Sequence, residues 1–241
     1  MIDFAGAHVV VTGGTGTLGN AVVSALRAAG AVCHLPYRDA RGTNTSAFSE
    51  DTGVCLVGGV DLGDETAVEE FYRSIPELWG SVHLVGGFAA SPIAETSAAE
   101  FDAQFRVNAR SCFLCTRAGV ARIRAGTAAG PAGAVGGRIV NVAARPALEP
   151  RTGAGMAAYT ASKAAVAALT QALAEELAAE QIWVNAVAPS TIDTPVNRAA
   201  TPQADFGRWV APAALAEVIV FLASPQNHAT RGAVLPVYGG S

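Results

Sequence analysis

Short apolar runs rich in β-branched residues recur along the chain, each followed by a longer run of helical character. Residues 8–12, 31–35, 54–57, 82–85, 138–142, 182–187 and 233–238 have the length and composition of buried strands. Residues 20–29, 65–74, 97–104, 107–124, 156–177 and 213–223 read as helices by propensity and spacing. Strand and helix alternating from end to end predict an α/β fold, with a parallel doubly wound sheet and helices on both faces. Ligands of such sheets sit beyond the carboxyl ends of the strands. Residues 42–51 are small and polar and read as a loop. Residues 126–137, Gly/Ala-rich with Pro131, read as a surface loop. Nothing marks a domain boundary or an internal repeat, so residues 1–241 are expected to form one domain.

Composition narrows the partners. The chain is 51% hydrophobic and only 15% charged, enough for a large core and a sparsely charged surface. A net charge of -4 without a basic stripe argues against nucleic acid. No apolar run reaches the ~18 residues of a membrane span, and Met1-Ile2-Asp3-Phe4 leads toward a strand without a signal-peptide pattern. A cytoplasmic protein is the expectation. Cys33, Cys55, Cys112 and Cys115 form no disulfide framework. Cys112 and Cys115 share a face of an apolar helix, so their Cys-x-x-Cys spacing reads as packing rather than redox or metal chemistry. No metal site is expected.

The first strand runs into Gly13-Gly14-Thr15-Gly16-Thr17-Leu18-Gly19 and then into a helix. Strand, glycine turn and helix in that order form a dinucleotide-binding pattern, and they make the predicted sheet Rossmann-type. Glycines let backbone amides approach a pyrophosphate, which the helix N-terminus favours electrostatically. The end of the second strand chooses the adenosine ribose. An acid there would bind the 2′-hydroxyl and repel a 2′-phosphate. This chain has Tyr37-Arg38, with Asp39 one step later. Arg38 can pair with a phosphate through its planar fork, so NADP is preferred over NAD.

Tyr159 and Lys163 stand one turn apart on the helix read at 156–177. A phenol titrating near ~10 is a poor acid–base at neutral pH, and a neighbouring ammonium is expected to lower its pKa. Such a pair can exchange a proton with a carbonyl or imine undergoing hydride transfer. Lys163 is the only lysine among 16 basic residues, and the rest are arginine. Lysine offers a compact point charge that the arginine fork does not.

Tyr159-x-x-x-Lys163, followed by Val184-Asn185-Ala186-Val187-Ala188-Pro189, resembles the short-chain dehydrogenase/reductase family over nearly the whole chain. The resemblance implies Tyr159 as acid, Lys163 as its partner and ribose ligand, and Asn108 as holder of a water linking the lysine to solvent. It also implies cofactor contacts from Asp61-Leu62, Gly86-Gly87, Pro189, Ile192 and Thr194. The resemblance also implies a homo-oligomer, since relatives of this kind are usually homotetramers or dimers.

The departures are specific. Thr17 stands where the usual glycine turn has its middle glycine, and Gly16 supplies one a place earlier. Gly86-Gly87-Phe88 replaces Asn-Asn-Ala-Gly, and Pro189-Ser190 replaces Pro-Gly. Ala143-Ala144 stands where the family carries the serine that donates to the substrate oxygen, a task Ala144 cannot perform. Residues 193–209, Gly86-Gly87-Phe88 and the missing serine together are similar to dihydropteridine reductase, an outlying member. The expectation is an NAD(P)H-dependent oxidoreductase reducing a small carbonyl or a conjugated imine or quinonoid substrate. A catalytically reduced NAD(P)-binding sensor is the alternative.

Overall fold

The computed structural model describes residues 2–38, 45–126 and 130–240. Asp39 and the beginning of the loop read at 42–51 lie outside them. Seven strands form one sheet, all neighbours parallel: β1 (His8–Thr12), β2 (Val32–Tyr37), β3 (Val54–Gly58), β4 (Gly80–His83), β5 (Gly137–Val142), β6 (Ile182–Pro189) and β7 (Val234–Val237). Their order, β3-β2-β1-β4-β5-β6-β7, reverses between β1 and β4, which opens a crevice at the carboxyl ends of those two strands.

Alternation along the strands divides the core. Val9 and Val11 pack with Val22, Leu26, Leu215 and Ile219 under helices α1 (Thr17–Ala28) and α8 (Pro212–Ala223). Val10 points the other way, with Ile139 and Val184, into the layer of α2 (Glu65–Arg73), α4 (Ser111–Arg124) and α6 (Ala157–Glu176). The expected doubly wound α/β sheet is therefore present. Cys112 and Cys115 are both buried on α4, and burial raises both thiol pKa values.

Several boundaries differ from the sequence reading. The fourth strand is 80–83 rather than 82–85, because Gly80 and Ser81 already pair with β1 and Leu84–Val85 leave the sheet toward the crevice. The helices read at 97–104 and 107–124 are one continuous rod. It comprises α3 (Ala98–Phe105), a π-helical turn at Arg106–Arg110, and α4. No Gly or Pro separates them, so nothing breaks the helix, and the π turn re-aims its side chains locally. Two short helices were not anticipated. These are α5 (Arg145–Leu148) and α7 (Pro195–Ala200), both too short to show periodicity.

Beneath the crevice a buried polar chain ties the layers together. Tyr72 Oη lies 2.7 Å from Ser81 Oγ, Ser81 Oγ 2.8 Å from His83 Nε2, and His83 Nδ1 2.8 Å from Asn141 Oδ1. Asn141 Nδ2 donates to Thr170 Oγ1 at 2.9 Å. Asn141 Oδ1 is thus an acceptor, which puts the His83 proton on Nδ1. Burial lowers the His83 pKa to about 4, so the ring is neutral.

Candidate active site

The glycine turn follows β1 directly. Gly13 has φ 70°, and a Cβ there would lie 3.2 Å from the Val85 amide nitrogen. Gly19 lies on the first turn of α1, and a Cβ there would fall 2.6 Å from the Gly14 backbone. Both positions require glycine, one for the turn and one for helix–turn contact. Gly16 is the N-cap of α1 in an extended conformation, with no side-chain cap and no acid in the first turn. The leading amides of Thr17, Leu18 and Gly19 therefore have no side-chain acceptor, which suits an anion. Thr17 in the place of the middle glycine is exposed, and Thr15 is half-buried.

Tyr37 closes β2 half-buried, its ring against Gly58, and Arg38 follows it exposed. Asp61 accepts from the Gly63 amide at 2.8 Å and from Arg106 Nη2 at 2.9 Å, with Leu62 buried beside it. The Gly63 hydrogen bond, then Arg106 and the charge of Arg38, hold the Asp61 carboxyl below its ordinary range. Arg38, Asp61 and Arg106 thus share one corner of the crevice. Arg106 did not stand out in the sequence, because its partner Asp61 lies 45 residues away along the chain.

Tyr159 and Lys163 lie on α6, whose buried stripe is Ser162, Lys163, Val166, Ala167, Thr170 and Ala174. Lys163 is only 6% exposed, and its Nζ donates to the Val142 carbonyl at the end of β5, 2.8 Å away. A Cβ on Gly86 would lie 3.0 Å from Lys163 Nζ and 2.9 Å from Asn108 Oδ1, so these groups meet at one point. Asn108 is committed to backbone. Its Oδ1 accepts from the Gly87 amide at 3.0 Å, and its Nδ2 donates to the Gly87 carbonyl at 2.9 Å and to Ser162 Oγ at 3.0 Å. Its visible work is to clamp the loop after β4 onto α6. The Tyr159 ring meets Phe88 edge-on, with centroids 5.0 Å apart.

Electrostatics here run opposite to the expectation from charge alone. Burial pushes Tyr159 up to about 12, and burial pulls Lys163 down to about 8. Loss of hydration disfavours the charged form of each group, so the expected lowering of the Tyr159 pKa by the ammonium is not found. Tyr159 is a fully protonated phenol at neutral pH, and Lys163 is still mostly charged.

Ala144, just beyond β5 at the N-cap of α5, is buried and extended, with no hydroxyl to offer. Arg145 does not substitute. It donates to Glu149 at 2.8 Å and stacks on Tyr238 at 4.7 Å. Beyond Pro189, the Ile192 carbonyl accepts from Asn197 Nδ2 at 2.8 Å, and Thr194 Oγ1 caps α7 by accepting from the Asn197 amide at 3.2 Å. The Thr194 hydroxyl proton is left for another acceptor.

Residues 13–19, 37–38, 61–62, 86–87, 108, 159–163 and 189–194 all lie at or beyond the carboxyl ends of strands, except Asn108 and the Tyr–Lys pair, which helices bring there. An uncapped helix N-terminus beside a glycine cradle, and a lysine opposite Gly86, fit a nicotinamide dinucleotide. Comparison with known proteins agrees. The family model described as enoyl-(acyl carrier protein) reductase matches residues 14–241. A "short-chain type dehydrogenase/reductase" of Picea abies is 31% identical over 82% of this chain and 74% of its own length. Carbonyl reductase [NADPH] 2 of Sus scrofa is 32% identical over 99% of this chain and 98% of its own. Among solved structures, a dehydrogenase/reductase from Sinorhizobium meliloti 1021 superimposes with a TM-score of 0.83 at 28% identity, covering 99% of this chain and 96% of that one. With fold, crevice and near full-length sequence likeness in agreement, the chain belongs to the short-chain dehydrogenase/reductase family of NAD(P)-dependent oxidoreductases.

Proposed function

We propose that this chain reduces a carbonyl compound or a conjugated imine or quinonoid compound with NADPH, with Tyr159 as the proton donor. The observation that carries the reading is the loop after β4, which meets Tyr159 through Phe88, Lys163 at Gly86 and Asn108 at Gly87. The bound dinucleotide would supply the hydride, held by residues 13–19, Tyr37, Arg38, Asp61, Leu62, Gly86, Gly87, Lys163, Pro189, Ile192 and Thr194. Tyr159 then gives its proton to the substrate oxygen or nitrogen as negative charge grows there. The Lys163 ammonium, anchored on the Val142 carbonyl, stabilises the phenolate left behind. Asn108 acts as a positioning residue through Gly87. A water relay from Lys163 to solvent past Asn108 remains part of the proposal.

Ala144 supports a conjugated substrate. A simple ketone concentrates charge on one oxygen and benefits from two donors, whereas an extended ring spreads it. An aromatic ring stands at the site as well: Phe88 is 64% exposed beside Tyr159. The test is NADPH and NADH oxidation with a quinonoid dihydropterin, a quinone panel and simple ketones. Efficient ketone reduction with every conjugated ring ignored would refute the conjugated class. Tight cofactor binding with no turnover on any of them would favour the sensor alternative.

The preference for NADPH rests on Arg38 and on the absence of an acid at Tyr37. Arg38→Ala is expected to reduce the ratio of NADH to NADPH dissociation constants several-fold. The wild-type preference should also shrink as salt rises, because the pair is exposed. An unchanged ratio in the variant removes Arg38 from this role. As working biology we propose one domain over residues 1–241, acting in the cytoplasm as a homotetramer or dimer. Its free cysteines suit a reducing compartment, and the outward-facing Phe101 and Phe113 of the α3–α4 rod suit a subunit contact.

A further inference from the structure

The opposite end of the sheet carries a buried cation that the reductase chemistry does not use. Arg138, the second residue of β5, is 2% exposed. Its guanidinium lies 4.8 Å from the ring centre of Trp79 and 5.8 Å from that of Trp183. Nε donates to the Ser224 carbonyl at 3.3 Å, and Nη1 donates to the carbonyls of Gly137 at 2.8 Å and Gln181 at 3.4 Å. Three backbone dipoles and two π faces hold the charge. No carboxylate of the described residues pairs with it. Burial lowers its pKa to about 10, which still leaves it cationic at neutral pH. A buried charge without a counter-ion is costly, and a cation fixed this firmly is prepared for an anion.

Nη2 supplies the place for one. It makes no hydrogen bond to the described residues, yet it is not among the sealed, unpartnered side-chain atoms, which are Asn20 Oδ1 and Thr160 Oγ1. Arg138 lines an open pocket of about 400 Å³ whose other walls include Val135, Gln181, Trp183, Pro225, Gln226 and His228. Gln181, Gln226 and His228 are its polar walls, Pro131, Val135, Trp183 and Pro225 supply apolar surface, and Val135 is 63% exposed. Arg138 pairs with Trp183 at the amino ends of β5 and β6, so the pocket is separated from the candidate active site by the length of the sheet.

We propose that this pocket binds a small organic carboxylate, its oxygens on Arg138 Nη2 and its apolar body against Trp183, Val135 and Pro225. One cation suits a monoanion better than a phosphate dianion, and an apolar wall favours a ligand with a hydrocarbon or aromatic body.

Trp79 and Trp183 are two of the three tryptophans, so their emission reports on the pocket directly. The experiment titrates the full chain with benzoate, inorganic phosphate and chloride at constant ionic strength, and follows tryptophan fluorescence. A saturable change with benzoate, weaker with phosphate and absent with chloride, is expected. Arg138→Gln should raise the benzoate dissociation constant tenfold or more. Val135→Glu, at an exposed position where folding is not at stake, should do the same by placing a competing carboxylate at the mouth. Arg38→Ala, in the cofactor crevice, should leave the titration unchanged. Absence of any saturable change overturns the proposal. So does a response that survives both pocket substitutions, and tighter binding of phosphate than of benzoate overturns the carboxylate assignment.

Discussion

Tyr159→Phe is expected to lower turnover by ~10²-fold or more while leaving the dissociation constant of the cofactor nearly unchanged. The substitution is clean for a structural reason. The Tyr159 hydroxyl makes no hydrogen bond to the described residues, and the bond that Ser162 makes at this turn goes to the Tyr159 backbone carbonyl at 2.8 Å. Phe retains the ring that meets Phe88. The variant therefore loses a proton donor without orphaning a partner. Lys163→Arg is the companion variant. It retains a positive charge, but the buried space between Gly86, Asn108 and the Val142 carbonyl is shaped for a compact ammonium, so activity should fall as well. Near wild-type turnover in Tyr159→Phe would mean that another group is the acid.

Ala144→Ser is expected to raise kcat/KM for simple ketones by roughly 10²-fold, the worth of one oxyanion donor. Ala144 lies two residues beyond β5 as the N-cap of α5, extended and 4% exposed, so a serine there needs no backbone change. Conjugated substrates should respond little, because their charge does not depend on a second donor at one atom. Steady-state kinetics on both classes measure the ratio. A ratio that stays constant, whatever happens to the absolute rates, separates Ala144 from substrate choice.

The parts of the molecule that depend on local pattern were legible before the structure. Alternation of Val9, Val10 and Val11 across the sheet, the glycine turn, and the i, i+4 spacing of Tyr159 and Lys163 are properties of a few consecutive residues. The carboxyl-end rule then placed the crevice. What was missed depends on contacts distant in sequence. Arg106 meets Asp61 and Asn108 meets Gly87 from the π turn at 106–110, and neither pairing has a local signal. The opposite pKa shifts of Tyr159 and Lys163 come from burial, which spacing on a helix does not reveal. Arg138 read simply as the start of a strand, since its two tryptophans and three carbonyls come from four separate segments. The helix α7 carried a readable start, Thr194 as N-cap before Pro195, hidden by its length of six residues.

The central claim is that a phenol kept protonated by burial delivers the proton while a buried ammonium supports it. The pH dependence of kcat/KM for reduction at saturating NADPH tests it most directly. Lys163 carries its charge below about 8 and loses it above, whereas Tyr159 stays protonated to about 12. The rate should therefore be level through the neutral range and fall with a single-proton alkaline limb near 8. In Lys163→Arg, slower overall, that limb should be absent, because the guanidinium does not titrate there. An alkaline limb near 8 that persists in Lys163→Arg, or a wild-type profile that stays level well above 8, would contradict the account.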